Sequence, residues 1–279
     1  MKLHLKKICR QVCFLSEEVG KFIQRQRNKI SAEHIEVKGI HDFVTYVDKE
    51  SERRLVKGLQ KILPEAGFIT EEETISNERK KYSWIIDPLD GTTNFIHGVP
   101  CYCISIALVD FRSFPLVDEN GGDGEAVPLL GVIYEPNFSE MFCATKNGGA
   151  FLNGKKISVS KTKKLNDSLL VTGFPTYNYS RMNEYIELFR YFMKHTHGLR
   201  RMGSAAVDLA YVACGRVDAF YEYNLNSWDV AAGALIVKES GGQVTDFNGK
   251  NKFLFGKEII ASNTKTHKEF VKTVKQFFK

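Results

Sequence analysis

Apolar side chains near the start of the chain recur every three or four positions. They are Leu5, Ile8, Val12, Leu15, Val19, Phe22 and Ile23. This spacing places them on one face and predicts an amphipathic helix over residues 5–27. A second pattern of the same kind predicts a helix over residues 49–63, which ends because Pro64 follows it.

Short, continuous apolar runs are typical of buried strands. Such runs predict strands at residues 68–69, 84–86, 103–109, 130–134 and 141–144. Between residues 110 and 128 the chain becomes polar and contains several glycines. We therefore expect an elongated hairpin loop between two of these strands.

After Ser168, helix and strand patterns alternate along the chain. The strand patterns cover residues 169–171, 219–222, 243–246 and 259–260, and the helix patterns cover residues 181–195, 205–214, 230–240 and the C-terminal segment. This alternation predicts an α/β fold. Because no linker or repeat separates the halves, we expect one compact unit. Residues 1–165 would hold the main acidic motifs, and residues 166–279 would complete the site.

The composition of the 279 residues is typical of soluble globular proteins, with 43% hydrophobic and 26% charged residues. The net charge is +6, but the cations are scattered along the chain, as on a solvated surface. Nucleic-acid-binding proteins more often concentrate their cations on one face. We therefore do not expect nucleic-acid binding, although a weak contact with RNA stays open.

The six cysteines include no CxxC pair. Cys9 and Cys13 stand one turn apart on the first predicted helix, but the clustered Cys/His spacing of a zinc site is absent. The N-terminus lacks the apolar core of a signal peptide, and no stretch approaches the roughly 20 apolar residues of a membrane span. We expect a cytoplasmic protein in a reducing compartment, without membrane association.

Acidic residues follow predicted strands, or begin a predicted helix, at three places in the chain. These are residues 71–73, the pair Asp87 and Asp90, and Asp229. In α/β folds, functional sites assemble at such positions. Oxygen ligands without a nearby His or Cys favour a hard cation such as Mg²⁺. Taken separately, the glutamates could be a solvated run and Asp229 could be a helix N-cap.

The segment Asp87-Pro-Leu-Asp-Gly-Thr-Thr93 is more specific. Pro88 fixes φ and has no N–H, so we expect the two aspartates in a stiff turn instead of a regular ladder. Gly91 lets the backbone approach a ligand closely, and the N–H groups of Thr92 and Thr93 could receive a phosphate. The segment therefore predicts a joint metal and phosphate site.

The sequence resembles the inositol monophosphatase family at motifs that keep the family's order and cover nearly the whole chain. The two longest motifs are residues 84–100, which contain the aspartate pair, and Trp228-Asp-Val-Ala-Ala-Gly233. The others are residues 68–72, 148–154, 201–208 and 239–242. The resemblance implies a layered αβαβα sandwich of the inositol monophosphatase and fructose-1,6-bisphosphatase type. It also implies a homodimer.

The resemblance also implies roles for individual residues. The metal ligands would be Glu71, Asp87, the Leu89 carbonyl, Asp90 and Asp229. Gly91 and Thr92 would hold the phosphate, and Asp48 would act with Thr92 to orient the attacking water, with Glu71 as a further catalytic residue. The polyol would contact Ser204, Ala205, Glu222 and Asp229. Glu72 is a weaker metal candidate. Two departures from the family pattern are Thr70, where Gly is usual, and the long 110–128 loop.

The implied activity is Mg²⁺-dependent hydrolysis of a small phosphate monoester, with inositol monophosphate as the favoured substrate and two or three Mg²⁺ ions per site. Water activated by metal and by Thr92 with Asp48 would attack phosphorus directly, and lithium would inhibit. Gly91-Thr-Thr-Asn-Phe95 favours this reading over a 3′(2′),5′-bisphosphate nucleotidase or another sugar phosphatase. The non-enzymatic alternative is a regulatory protein that binds RNA or the transcription machinery.

Overall fold

A computed structural model describes residues 3–27, 29–30, 35–39, 42–111, 126–175 and 178–278. The helices are α1 (Leu5–Arg27), α2 (Tyr46–Ile62), α3 (Thr92–His97), α4 (Met182–His195), α5 (Ala205–Ala213), α6 (Ser227–Glu239) and α7 (His267–Phe277). The strands are β1 (Ile35–Gly39), β2 (Asp42–Thr45), β3 (Gly67–Thr70), β4 (Tyr82–Asp90), β5 (Cys103–Phe111), β6 (Ala126–Glu135), β7 (Glu140–Thr145), β8 (Gly149–Leu152), β9 (Lys155–Lys156), β10 (Leu169–Thr172), β11 (Gly198–Arg200), β12 (Ala219–Tyr223), β13 (Gly242–Thr245) and β14 (Glu258–Asn263).

Two large sheets organise these elements. The larger sheet has seven strands in the order β3-β4-β5-β6-β7-β8-β9, and its only parallel pair among the described strands is β3 with β4. The smaller sheet has five strands in the order β11-β10-β12-β14-β13, with β11, β10 and β12 parallel. A separate antiparallel hairpin joins β1 and β2.

Helices cover both faces of the larger sheet. In β4, Trp84 and Ile86 pack with residues of α1 and α2, whereas Ile85 packs with residues of α5 and α6. This is the two-residue alternation of a strand, and all three side chains are buried because both faces are covered. The strands therefore appear in the sequence as continuous apolar runs.

Helices α5 and α6 fill the layer between the two sheets and pack closely because small residues lie at their contacts. A Cβ added at Gly233 of α6 would lie 2.6 Å from the Leu209 side chain of α5. One added at Gly131 of β6 would lie 2.7 Å from the Ala232 carbonyl oxygen. Such distances leave no room for a methyl group. Helices α4 and α7 cover the outer face of the smaller sheet.

The layers therefore run α1/α2, larger sheet, α5/α6, smaller sheet, α4/α7. This arrangement confirms the predicted layered α/β sandwich. The predicted boundary at residue 165 lies between Lys156, where β9 ends, and Leu169, where β10 begins. One hydrophobic cluster contains both Ile85 and Phe220, so its residues come from both sides of that boundary. The division into two parts stays a prediction.

Several boundaries differ from the sequence pattern. Helix α2 begins at Tyr46 and α6 at Ser227, each three residues before the predicted start. The pattern did not predict the β1–β2 hairpin, β8, β9 or β11, which are short or carry polar residues. In the predicted 110–128 loop, β5 continues to Phe111 and β6 begins at Ala126; residues 112–125 lie outside the described part. Within the described ranges, no helix has the length and apolar content needed to cross a bilayer.

Candidate active site

The four predicted acidic ligands approach one another from three elements. Glu71 directly follows β3, Asp87 and Asp90 lie at the end of β4, and Asp229 lies in the first turn of α6. Burial raises the pKa of Asp87 well above its usual range, and the charges of Glu71, Asp90 and Asp229 raise it further. The carboxyl groups of Glu71 and Asp87 lie within hydrogen-bonding reach. The fold thus concentrates negative charge at this point.

The two aspartates of β4 lie in an irregular strand end, where the sequence predicted a stiff turn instead of a regular ladder. Asp87 is paired with Ser105 and Asp90 with Cys103 of β5, and the register shifts between them. The bulge accommodates a proline that cannot donate to the ladder. The Leu89 N–H donates to Asp87 Oδ1 at 2.9 Å. The aspartates are therefore held by a sheet.

Asp90 is held by the start of α5. Its Oδ2 accepts hydrogen bonds from the Ser204 hydroxyl and from the Ala206 N–H, both at 2.7 Å. Burial raises the pKa of Asp90, although these hydrogen bonds and the charge of Arg201 act in the opposite direction. Ser204 and Ala205, the predicted polyol contacts, both line the cleft. The hydroxyl of Ser204, however, is engaged by Asp90.

The predicted partners Asp48 and Thr92 are hydrogen-bonded. Thr92 Oγ1 donates to Asp48 Oδ1 at 2.8 Å, and the Leu89 carbonyl oxygen lies 3.1 Å from the same hydroxyl. The Thr45 N–H and hydroxyl donate to the other Asp48 oxygen at 2.9 and 2.5 Å, which closes the N-terminal cap of α2. Burial raises the pKa of Asp48 against the effect of these hydrogen bonds. Both oxygens of Asp48 are thus fixed.

Gly91 has a conformation and an environment that exclude a side chain. Its φ is +96°, and an added Cβ would lie 3.0 Å from the Cys101 carbonyl oxygen and 3.1 Å from that of Gly203. It precedes α3, so Thr92 and Thr93 form the first turn of that helix, and all three residues line the cleft. Because Gly91 has no side chain, its backbone atoms line the cleft directly, and phosphate binding by this segment stays a prediction.

Asp229 is the third residue of α6, not the residue before it. Its Oδ2 accepts from the N–H of Asn226, the actual N-cap, at 2.7 Å. One oxygen of Asp229 therefore helps to cap α6, and its role as a metal ligand stays a prediction. The Ser105 hydroxyl donates to the Trp228 carbonyl oxygen at 3.2 Å. This bond ties the first turn of α6 to the strand that pairs with Asp87.

Three more ionisable side chains line the cleft, and the sequence predicted only one of them as a site residue. Glu222, a predicted polyol contact, lies on β12, and burial and the charge of Asp229 raise its pKa well above the usual range. Asp208 and Arg201 also line the cleft and were not predicted as site residues. Burial, Glu222 and Asp90 raise the pKa of Asp208, and Arg201 lowers it. Arg201 was not predicted because the pair Arg200-Arg201 was interpreted as part of the scattered surface charge.

Two further residues position the site without lining it. Glu52 of α2 is fully buried and accepts from the Glu72 N–H at 2.8 Å and from the Thr74 N–H at 2.7 Å, so it holds the segment after Glu71. The Asn94 amide donates to the carbonyl oxygens of Cys101 and Met202, both at 2.8 Å. The sequence pattern gave no sign of the Glu52 contact, because its partners are backbone groups about twenty residues away.

The structure also locates Thr70, which departs from the family pattern, and Glu72, the weaker candidate for a metal ligand. Thr70 lies in β3, paired with Ile86, and its N–H donates to Asn77 Oδ1 at 2.8 Å. Extended backbone suits any residue, so Thr in place of Gly leaves Glu71 beside Asp87. Glu72 is not among the residues that line the cleft.

The donors in this cleft fit a hard divalent cation. The cleft has a volume of about 280 Å³ and is lined by the predicted ligands Glu71, Asp90 and Asp229. The other two predicted ligands, Asp87 and Leu89, are buried and are not among its lining residues. Buried carboxylates that raise one another's pKa are costly unless a cation or proton neutralises them. Oxygen ligands are those that Mg²⁺ prefers. The charge and the ligand type both agree with the metal predicted from the sequence.

Two layered sheets with an acid-lined cleft at the ends of their strands define an α/β protein of the sugar-phosphatase fold class. A family model described as the inositol monophosphatase family matches residues 5–277. The chain therefore belongs to the inositol monophosphatase family.

Individual relatives carry two kinds of name. "Nus factor SuhB" of Pseudomonas aeruginosa is 40% identical over 264 residues, which cover 93% of this chain and 92% of the relative. "Inositol-1-monophosphatase" of Mesorhizobium japonicum is 35% identical over 260 residues, with coverages of 93% and 92%. The crystal structure of extragenic suppressor protein suhB from Bartonella henselae superposes with a TM-score of 0.85 at 36% identity, covering 96% of this chain and 98% of that one.

Proposed function

We propose that this protein is a Mg²⁺-dependent phosphatase of small phosphate monoesters, with inositol monophosphate as the favoured substrate. The observation that carries the proposal is the convergence of Glu71, Asp87, Asp90 and Asp229 next to the hydrogen-bonded pair Thr92 and Asp48. Family membership supports phosphatase chemistry. Two or three Mg²⁺ ions would be held by these four carboxylates and the Leu89 carbonyl.

Bound Mg²⁺ would neutralise the phosphate charge and lower the pKa of water. The chain's own residues do the positioning. Asp48 accepts the Thr92 hydrogen at 2.8 Å, which leaves an oxygen lone pair of Thr92 directed away from Asp48 to receive a water hydrogen. The backbone at Gly91 and Thr92 faces the cleft and would hold the phosphate oxygens.

The opposite wall would bind the alcohol part of the substrate. Glu222, Asp229 and Ala205 line the cleft, and the carboxylate oxygens of Glu222 and Asp229 can accept hydrogen bonds from hydroxyl groups. Arg201 adds a cation at the same wall. An alcohol rich in hydroxyl groups suits this wall better than an apolar one, which supports a polyol phosphate as substrate.

A substrate panel tests the proposal. Initial rates with Mg²⁺ would be compared for inositol 1-phosphate, 3′-phosphoadenosine 5′-phosphate, fructose 1,6-bisphosphate and histidinol phosphate. The highest kcat/KM is expected for inositol 1-phosphate, and Li⁺ is expected to inhibit. Preference for the nucleotide would favour the bisphosphate nucleotidase alternative. No turnover of any of the four would contradict the proposed activity.

The second candidate function is regulatory binding to RNA or the transcription machinery. It is favoured by the relative of Pseudomonas aeruginosa named "Nus factor SuhB" and by the net charge of +6. Capture of RNA polymerase or RNA at physiological salt, undiminished in Asp90→Asn, would separate this role from catalysis. The two roles are not exclusive.

We also propose a homodimer in the cytoplasm. Exposed apolar side chains of α4, Ile186 and Met193, supply surface for self-association. The six cysteines are free thiols, which suits a reducing compartment. Light scattering after gel filtration tests the dimer: a mass of about 63 kDa, twice the 31.7 kDa of the chain, is expected.

A further inference from the structure

The fold brings together three cysteines that the sequence keeps apart. Cys9 and Cys13 lie one turn apart on α1, and Cys143 lies on β7. The three sulfur atoms all lie within 4.8 Å of one another. None of the three residues lines the carboxylate cleft. Cys143 is far from Cys9 and Cys13 in the sequence, so the local cysteine spacing does not reveal this cluster.

We propose that Cys9, Cys13 and Cys143 form a binding site for a soft, thiophilic cation, Zn²⁺, that joins α1 to β7. Thiolate sulfur is the ligand type that selects such ions. A tetrahedral zinc site with Zn–S bonds of about 2.3 Å needs sulfur atoms roughly 3.8 Å apart. The observed limit of 4.8 Å requires the sulfurs to close by no more than about 1 Å, which side-chain rotation provides.

The thiols already interact as a group. Hydrogen bonds with Cys13 and Cys9 lower the pKa of Cys143 to about 4. The hydrogen bond with Cys143 raises the pKa of Cys13. The thiols would lose their protons to solvent when the ion binds. Water would complete the fourth position.

Charge favours Zn²⁺ over Cu⁺ at this site. Three thiolates leave one net negative charge on Zn²⁺ and two on Cu⁺. Cys9 is buried, and Cys13 and Cys143 are partly buried against the apolar cluster under α1, so residual charge is costly. Arg10, whose charge lowers the pKa of Cys9, is placed to offset a single negative charge.

Thiol protection tests this site separately from the carboxylate cleft. The full chain, stripped with EDTA and returned to saturating Mg²⁺, would be treated with N-ethylmaleimide with and without Zn²⁺. Mass spectrometry is expected to show that Zn²⁺ protects three of the six cysteines: Cys9, Cys13 and Cys143. Co²⁺ in place of Zn²⁺ is expected to give thiolate-to-metal absorption. Unprotected thiols, or protection spread to Cys101 and Cys214, would overturn the proposal.

Matched variants complete the test. Cys143→Ser and Cys13→Ser are expected to weaken Zn²⁺ binding at least tenfold in a competition titration and to abolish the Zn²⁺-dependent rise in Tm. Cys214→Ser, a thiol outside the cluster, should bind Zn²⁺ as the parent does. If one variant fails to fold, the other variant and the protection pattern still show whether the three cysteines bind Zn²⁺. Equal Zn²⁺ affinity in parent, Cys143→Ser and Cys13→Ser would overturn the site.

Discussion

The hydroxyl of Ser204 donates a 2.7 Å hydrogen bond to Asp90, 114 residues earlier in the chain. Ser204 precedes α5 and Asp90 ends β4, so the bond joins the helix layer to the larger sheet. The Ala206 N–H reaches the same carboxylate oxygen. Two donors therefore hold one oxygen of Asp90 and fix the orientation of its carboxylate.

Asp90→Asn should remove activity without unfolding the protein. The amide oxygen can still accept from Ser204 and Ala206, but the negative charge that would bind metal is lost. We expect kcat/KM to fall at least roughly 100-fold, with stability in urea changed by less than about 1 kcal/mol. Asp167→Asn, an exposed acid, is the control. Full turnover of Asp90→Asn at saturating Mg²⁺ would contradict its role as a ligand.

Two substitutions of Thr92 separate the role of its hydroxyl group in catalysis from the role of its side-chain shape in packing. Thr92→Val keeps the shape but cannot donate to Asp48, whereas Thr92→Ser keeps the hydroxyl. We expect Thr92→Val to lower kcat by roughly 10²–10⁴-fold and Thr92→Ser to retain most activity. Steady-state kinetics at saturating substrate measure both. Similar rates in the two variants would assign Thr92 a packing role.

Glu52 should affect the metal requirement although it does not line the cleft. Glu52→Gln leaves one oxygen to receive the N–H groups of Glu72 and Thr74, so the segment after Glu71 loses part of its anchor. We expect the Mg²⁺ concentration for half-maximal rate to rise roughly 10–100-fold, with kcat recovered at high Mg²⁺. The matched control is Glu50→Gln on the same helix, which forms surface ion pairs with Arg53 and Arg54. An equal shift in both variants would refute the positioning role.

Gly173→Ala should disturb substrate recognition through Glu222. A Cβ at Gly173 would lie 2.1 Å from both Glu222 carboxylate oxygens, so the carboxylate must move. We expect a higher KM for inositol 1-phosphate than in the parent, and a smaller change for p-nitrophenyl phosphate, which has no polyol to bind. Parallel changes in both substrates would place the defect at the phosphate side of the cleft.

His267 should make the fold sensitive to acid. Burial lowers the pKa of His267 from 6.5 to about 4, so protons bind the unfolded chain more tightly than the folded one. Its stability contribution is complete above pH 6.5 and is lost as the pH falls towards 4, by at most about 3 kcal/mol. Urea unfolding of the parent and His267→Gln between pH 4.5 and 8 measures it. The parent should lose more stability than the variant; identical pH profiles would assign the sensitivity to other groups.

The apolar periods of the strands and helices predicted an α/β fold, and the resemblance to the inositol monophosphatase family implied its layered order. The continuous run at residues 84–86 and the three-to-four spacing on α1 both come from complete burial against neighbouring layers. The strands β1, β2 and β9 are only five, four and two residues long, too short for their apolar pattern to be decisive. They form because neighbouring strands offer hydrogen bonds, which a local pattern does not contain.

The candidate ligands were predictable because acid, proline and glycine cluster between Asp87 and Gly91. The residues that hold them were not. Glu52 resembles any polar residue of a surface helix until its backbone partners are known, and Arg201 resembles surface charge until the cleft is formed. The cysteine cluster likewise depends on β7 lying beside α1. Contacts made across the fold have no local signature.

The shared middle layer has a consequence for synthesis of the chain. The larger sheet is complete once residue 156 has been made, but the α5 and α6 residues that cover its inner face are finished only at residue 239. At roughly 5–20 residues per second, those 83 residues take about 4–17 s on the ribosome. During that interval the apolar side chains of Ile85 and Ala107 have no covering helix. A nascent chain paused before residue 205 is therefore expected to recruit a chaperone.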